Sequence, residues 1–166
     1  MPKRSAGLIL YRIRNGQLQV FLVHPGGPYW AHKDLGYWTI PKGEYVNTED
    51  PLDAAKREFH EETGFAAGGV FMELGEIKQG GGKVVTAWAF EGDCDPADLI
   101  SNFCEIEWPP RSRKRLEIPE VDRGEWFSIS AAQEHILSSQ RPLLERLSVR
   151  LQSGLRTNIK IQARST

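Results

Sequence analysis

Glu58, Glu61 and Glu62 stand at i, i+3 and i+4 within the stretch PLDAAKREFHEETG, residues 51–64. On a helix, that spacing puts the three carboxylates on one strip. Without a partner the strip is electrostatically poor. Like charges at i,i+4 repel by a few tenths of a kcal/mol, and negative charge near a helix C-terminus adds a comparable penalty. Arg57 can pair with Glu61, but in the less favourable base-first order. A divalent cation would convert the three liabilities into ligands, and oxygen-only donors suit Mg²⁺ or Mn²⁺ rather than zinc. Taken alone, the triplet also reads as a solvated, Glu-rich helix face.

The helix that carries these residues has its own start and stop signals. Asp50 is a good N-cap and Pro51 a good first helical residue. Asp53 favours the positive helix end, and Gly64 suits a left-handed C-terminal position. A helix over 51–63 follows. Leu52, Ala55 and Phe59 share a side that can face a sheet. Ala54 falls on the carboxylate strip one turn earlier, where a small side chain would leave room for an ion or a phosphate.

Around this helix the chain reads mostly as strands. Asn15-Gly16 between two β-favouring runs, 5–14 and 18–24, is a hairpin signal, because both central turn positions need φ > 0. Residues 25–37 (PGGPYWAHKDLGY) form a loop that carries Tyr29, Trp30 and Tyr37 among glycines and prolines. Trp38–Ile40 reads as a short strand stopped by Pro41. Further strands are expected over 70–79, 83–91, 103–108 and 124–129, with Gly80–Gly82 a turn. Ser130 with Gln133 is a capping-box pattern for a helix over 131–137. Pro142 suits the first turn of a last helix with a buried stripe of Leu143, Leu144, Leu147 and Leu151 and a stop at Gly154. The order predicts a mixed α/β fold, a curved sheet packed by helices. It reads as a single domain over 1–154, followed by a flexible tail over 155–166.

The 166 residues suffice for a sizeable core, and 40% apolar with 26% charged is an ordinary globular composition. The formal charge of −1 names no acidic or basic partner. Local basic runs occur at 111–115 and 156–164. Cys94 and Cys104 have neither disulfide-framework nor zinc spacing, which points to thiols in a reducing compartment. The short apolar run after the N-terminus is broken by Arg12 and Arg14, so it reads as neither signal peptide nor membrane span. A cytoplasmic protein is expected. His24, His32, His60 and His135 form no recognisable constellation in the sequence, and no Ser or Cys nucleophile motif is present.

The whole segment 43–65 is more specific than its glutamates. It resembles the Nudix box of the MutT-like Nudix hydrolases: Gly43, Glu49, Arg57, Glu58, Phe59, Glu61, Glu62, Gly64 and Phe65 occupy every fixed position. The resemblance implies an α/β/α sandwich with a curved mixed sheet between helices. It implies metal-dependent hydrolysis of a diphosphate bond in a nucleoside diphosphate linked to another group. Glu58, Glu61, Glu62 and the Lys42 backbone carbonyl would bind Mg²⁺ or Mn²⁺, with Glu49 behind them. Gly43, Arg57 and Gly64 would be structural. In relatives the catalytic base is a box glutamate or an acid from a later loop. Here the candidates are Glu61, Glu62 and Glu120, with Glu105, Glu107 and Glu117 as weaker alternatives.

Substrate choice is expected elsewhere. Tyr29, Trp30 and Tyr37 could stack on a base, or simply pin their loop. Arg111, Arg113 and Lys114 could grip outer phosphates, or form a solvated basic loop. The run WTIPKGE, 38–44, is similar to the box entry of Nudix enzymes acting on dinucleoside polyphosphates. The expected partner is thus a nucleotide, with neither membrane nor nucleic acid involved, and the chain a monomer or homodimer. The alternative is a non-catalytic, Nudix-fold nucleotide- or RNA-binding regulatory module.

Overall fold

The computed structural model describes residues 3–164, with side chains through residue 153. Strands β1 (Arg4–Arg14) and β2 (Gln17–Pro25) form the expected hairpin, with Arg14 opposite Gln17. Its two-residue turn holds Asn15 at φ 53° and Gly16 at φ 75°, the left-handed pair that a type I′ turn requires. Then come β3 (Lys42–Glu44), α1 (Pro51–Thr63), β4 (Met72–Gln79), β5 (Lys83–Glu91), β6 (Phe103–Glu107), β7 (Arg115–Pro119), β8 (Val121–Ser128), α2 (Ile129–His135) and α3 (Arg141–Arg164).

The main sheet runs β4-β5-β1-β2-β8, with β3 also paired to β1. β1 and β5 are parallel and the other pairs antiparallel, so the sheet is mixed, as expected. β5 pairs with β1 from Arg4 to Tyr11, while β3 takes Ser5–Gly7 and β2 takes Tyr11–Arg14. β2 and β3 therefore share the remaining edge of β1, which sets the start of the 43–65 segment directly beside the central strand.

Period-two alternation along β1 feeds two cores. Ala6, Leu8 and Leu10 pack with Phe21, Val23, Phe90 and the α1 residues Ala54, Ala55 and Phe59. Ile9 and Tyr11 point the other way, with Leu22, Trp38, Ile40 and Phe127, beneath Ala132 of α2 and Leu143, Leu144 and Leu147 of α3. The molecule is an α/β/α sandwich, with α1 on one face of the sheet and α2 and α3 on the other.

Several local expectations are corrected. Ala54 is fully buried in the α1 core, so it leaves no room for an ion. Trp38–Ile40 is no strand: Trp38 and Thr39 make isolated bridges to Ile136 and Val23. The cap of α2 is Ser128, whose hydroxyl accepts from the Ala131 amide at 3.2 Å, rather than Ser130. Gly154 does not stop the last helix, whose backbone continues to Arg164. The flexibility and basic character expected of the tail fall largely on side chains outside the described residues. β7 was not expected; it pairs with β6 in a separate two-stranded ribbon, and the basic run 111–115 spans the ribbon's tip. Among the described residues, no helix is long and apolar enough to cross a membrane.

Candidate functional site

α1 begins and ends where the sequence says it should. The Asp50 carboxylate accepts from the Asp53 amide at 3.1 Å, and Gly64 sits at φ 78° with its amide bonded to the His60 carbonyl. Leu52, Ala55 and Phe59 turn to the sheet, which leaves Glu58, Glu61 and Glu62 along the side facing β3 and the loop after β5.

Arg57 ties the segment together. Its Nε and Nη2 donate to both oxygens of Glu49, at 2.8 and 2.9 Å. Its Nη1 donates to Glu58 Oε1 at 2.8 Å and to both oxygens of Glu61 at 3.2 Å. The bonds to Glu49 lead in raising the already high pKa of Arg57, and they hold the Glu49 carboxyl below its ordinary value. A loop before the helix is thereby fixed to the helix.

Gly43 is needed for space. A Cβ on it would strike the Glu58 carboxylate, so that carboxylate packs against bare backbone of β3. One residue earlier, the Lys42 amide donates to Glu62 Oε2 at 3.0 Å. Burial pushes the Glu62 carboxyl up to about 8, against the lowering effect of that amide and of the Lys42 charge. Glu58 is also raised, chiefly by burial, with the Arg57 bond opposing and the Glu61 charge adding.

Glu120 joins this group through backbone bonds rather than sequence proximity. The amides of Ile100 and Asn102 donate to the carbonyls of Thr63 and Glu61 at the end of α1 (2.9 and 2.8 Å). The Glu120 amide donates to the Asn102 carbonyl, and the Gly26 amide to the Glu120 carbonyl, both at 2.9 Å. Burial and the charge of Glu61 raise the Glu120 pKa, while a bond from the Asn102 side chain lowers it. Glu120 in turn acts on Glu58 and Glu62. Four carboxylates from α1 and the β7–β8 corner thus share one electrostatic neighbourhood.

This arrangement suits a hard cation in its donor chemistry: every candidate ligand is oxygen, and burial together with neighbouring carboxylate charge raises the proton affinity of Glu58, Glu62 and Glu120, which a bound cation would reverse. Among the described residues, no three acidic, His or Cys side chains are set together as a ready metal site. Glu58 and Glu61 are turned to Arg57.

The expected substrate residues are not gathered around these carboxylates. Tyr29 meets Trp108 edge-on at 4.8 Å between ring centroids, and Trp30 meets Tyr37 at 5.7 Å. Arg111, Arg113 and Lys114 are exposed at the ribbon tip. Glu105, Glu107 and Glu117 also lie on the ribbon, with Glu105 opposite Glu117. Sequence reading passed over Trp108, visible only as the last residue before Pro109-Pro110. It also passed over Asn102. His24, read in the sequence as part of no constellation, is buried, with its ring nitrogens 2.9 Å from Asp122 Oδ1 and 2.6 Å from the Lys33 carbonyl. Their roles arise from contacts between distant segments, for which local pattern carries no signal.

Comparison with known proteins bears on the fold and the family. An RNA pyrophosphohydrolase of Bartonella bacilliformis is 24% identical, over 84% of this chain and 85% of its own length. Among solved structures, a C. elegans Ap4A hydrolase in a binary complex superposes with a TM-score of 0.65, at 21% identity over 90% of this chain and 98% of that one. The NUDIX domain of Shewanella oneidensis NrtR, complexed with ADP ribose, gives 0.64 at 16% identity, over 91% and 89%. At these identities the structures speak for the fold. The profile of the NUDIX domain matches residues 1–147, so the chain belongs to the NUDIX domain family.

Proposed function

We propose that this protein is a metal-dependent pyrophosphohydrolase that cleaves a diphosphate bond in a nucleoside or dinucleoside polyphosphate. The observation that carries the reading is the placing of Glu62 on the Lys42 amide and of Glu58 against Gly43, with the Glu120 backbone tied through Asn102 to the end of the same helix. Glu58, Glu61, Glu62 and the Lys42 carbonyl would hold Mg²⁺ or Mn²⁺. When bound, the ion would neutralise charge on the diphosphate oxygens.

The chain's own groups supply the rest. The Glu120 carboxylate takes a proton from the attacking water; burial and the Glu61 charge raise its pKa from the ordinary value, in the direction a base needs. Glu61 and Glu62 remain alternative bases. Arg57 and Glu49 hold the helix and its leading loop in register. Tyr29, Trp30 and Tyr37 would contact a base, and Arg111, Arg113 and Lys114 outer phosphates. A cytoplasmic setting belongs to the same proposal.

The test is a substrate panel with Mg²⁺ or Mn²⁺: dinucleoside polyphosphates, nucleoside triphosphates, ADP-ribose, nucleotide sugars and 5′-triphosphorylated RNA. Glu61→Gln, Glu62→Gln and Glu120→Gln are run alongside. Turnover of at least one compound, lowered about 100-fold or more by a box substitution, is expected. Turnover indifferent to all three substitutions would overturn the assignment of these residues.

A further inference from the structure

Side chains along β8 alternate between the two cores from residue 127 back to residue 123. Phe127 and Arg123 point to the side of α2 and α3: Phe127 packs in that core, and the Arg123 guanidinium lies 5.2 Å from the centre of the Trp38 ring. Trp126 and Gly124 face α1. Trp126 packs on that core, and a Cβ on Gly124 would strike both Phe21 and Leu99. Continued alternation would send Asp122 to the α1 side and Val121 to the other. The reverse is found. Asp122 Oδ1 lies 2.9 Å from Nδ1 of His24, whose ring meets Trp38 edge-on at 5.2 Å, and Val121 is buried in the α1 core.

The cause is one extra residue. His24 pairs with Arg123 and Pro25 with Val121, so Asp122 has no partner on β2 and β8 bulges. Proline is tolerated beside a bulge, where the ladder does not need its missing N–H. Without the bulge, every residue before it would change sides. With it, the Val121 amide donates to the Ser101 hydroxyl at 3.0 Å and the Glu120 amide to the Asn102 carbonyl at 2.9 Å. The Glu120 carbonyl accepts from the Gly26 amide, also at 2.9 Å. The bulge therefore sets the corner on which Glu120 stands.

A bulged residue lacks ladder bonds and needs another hold. For Asp122 that hold is His24. The His24 side chain is wholly buried, while that of Asp122 is 31% exposed. The other ring nitrogen of His24 lies 2.6 Å from the Lys33 carbonyl. Both partners are acceptors, so each contact calls on a ring N–H. A buried ring held at both nitrogens is a firm anchor, because losing either partner leaves a buried polar atom unsatisfied.

We infer that His24 and Asp122 are positioning residues for Glu120: the buried ring holds the bulge of β8, and the bulge fixes the backbone that presents Glu120 to the end of α1. The inference rests on the proposed role of Glu120 as the base.

Amide hydrogen exchange under native conditions tests the positioning without turnover. In Asp122→Ala the Gly26 and Glu120 amides exchange about tenfold faster, while the Phe59 amide inside α1 keeps its rate. Asp122→Asn, which retains an acceptor, restores both. Kinetics test the route through Glu120. With Mg²⁺ and the panel compound that turns over fastest, Asp122→Ala lowers kcat about tenfold, but lowers it no further in the Glu120→Gln background. His24→Asn, whose amide nitrogen falls near Nδ1, keeps most of kcat; His24→Gln, whose amide nitrogen falls near Nε2, does not. Unchanged exchange at Gly26 and Glu120, an equal rise at Phe59, or the same loss of kcat in both backgrounds would each overturn the inference. Faster exchange at Gly26 and Glu120 alone, in a protein that hydrolyses nothing or whose turnover ignores Glu120→Gln, would uphold the positioning and sink the proposed base instead.

Discussion

Glu62 and Gly43 show how much one position decides. Glu62 is ionised easily in the unfolded chain, but burial in the fold raises its pKa from 4.5 to about 8. The folded state therefore binds this proton more tightly than the unfolded state. Its contribution is fully present below pH 4.5 and is lost as pH rises toward 8. In buffer without divalent cations, Tm is expected to fall over that range, and Glu62→Gln is expected to flatten the fall. Thermal scans from pH 5 to 8 check this; a slope unchanged by the substitution would remove Glu62 as its source. Gly43→Ala puts a carbon against the Glu58 carboxylate. It should cost about 1–3 kcal/mol of stability and most of the activity, read from denaturant melts and turnover. The sequence spacing names the carboxylates, but not their acidity. That comes from burial and from Glu120, neither of which spacing contains.

Elements were most legible where their ends carry local chemistry. Asp50, Pro51 and Gly64 mark both ends of α1 because capping is settled within a turn of chain. Asp50→Ala should cost about 1 kcal/mol by urea denaturation. At α2 the same logic went astray by two residues. Ser128 precedes the helix and Ser130 is its second residue, and the pair Ser130–Gln133 imitates a capping box. The cap bond comes from Ser128, because β8 continues through Ser128 in its pairing with β2. Ser128→Ala should therefore cost about 1 kcal/mol and Ser130→Ala within about 0.5 kcal/mol. Equal losses in chemical melts would count against this cap. β7 escaped notice for a different reason. RLEIP alternates Leu116 and Ile118 with Arg115 and Glu117, but it is only five residues long, exposed for most of its length and ends in proline; its pairing with β6 makes it a strand.

At the scale of the molecule, the two cores divide the work. The face under α2 and α3 supplies stability at a distance from the carboxylates, while the α1 face carries the site. The fold class was readable because each strand's alternation must feed one core or the other. The assembly of the site was less so: Glu120 reaches α1 only through the backbone bonds that link residues 61, 102, 120 and 26. Asn102 sits in the middle of that connection, and its side chain lowers the pKa of Glu120. In Asn102→Ala the bond is lost, so the Glu120 carboxyl holds its proton to higher pH. If Glu120 is the base, the acid limb of the kcat/KM profile should move up in pH, with little change on the alkaline side. Leu144→Ala is the control from the opposite core. It should cost about 2–5 kcal/mol of stability, yet leave the acid limb in place when assayed well below its Tm. A limb that moves equally in both variants would mean that general loosening, rather than the Asn102 bond, sets the proton affinity of the site.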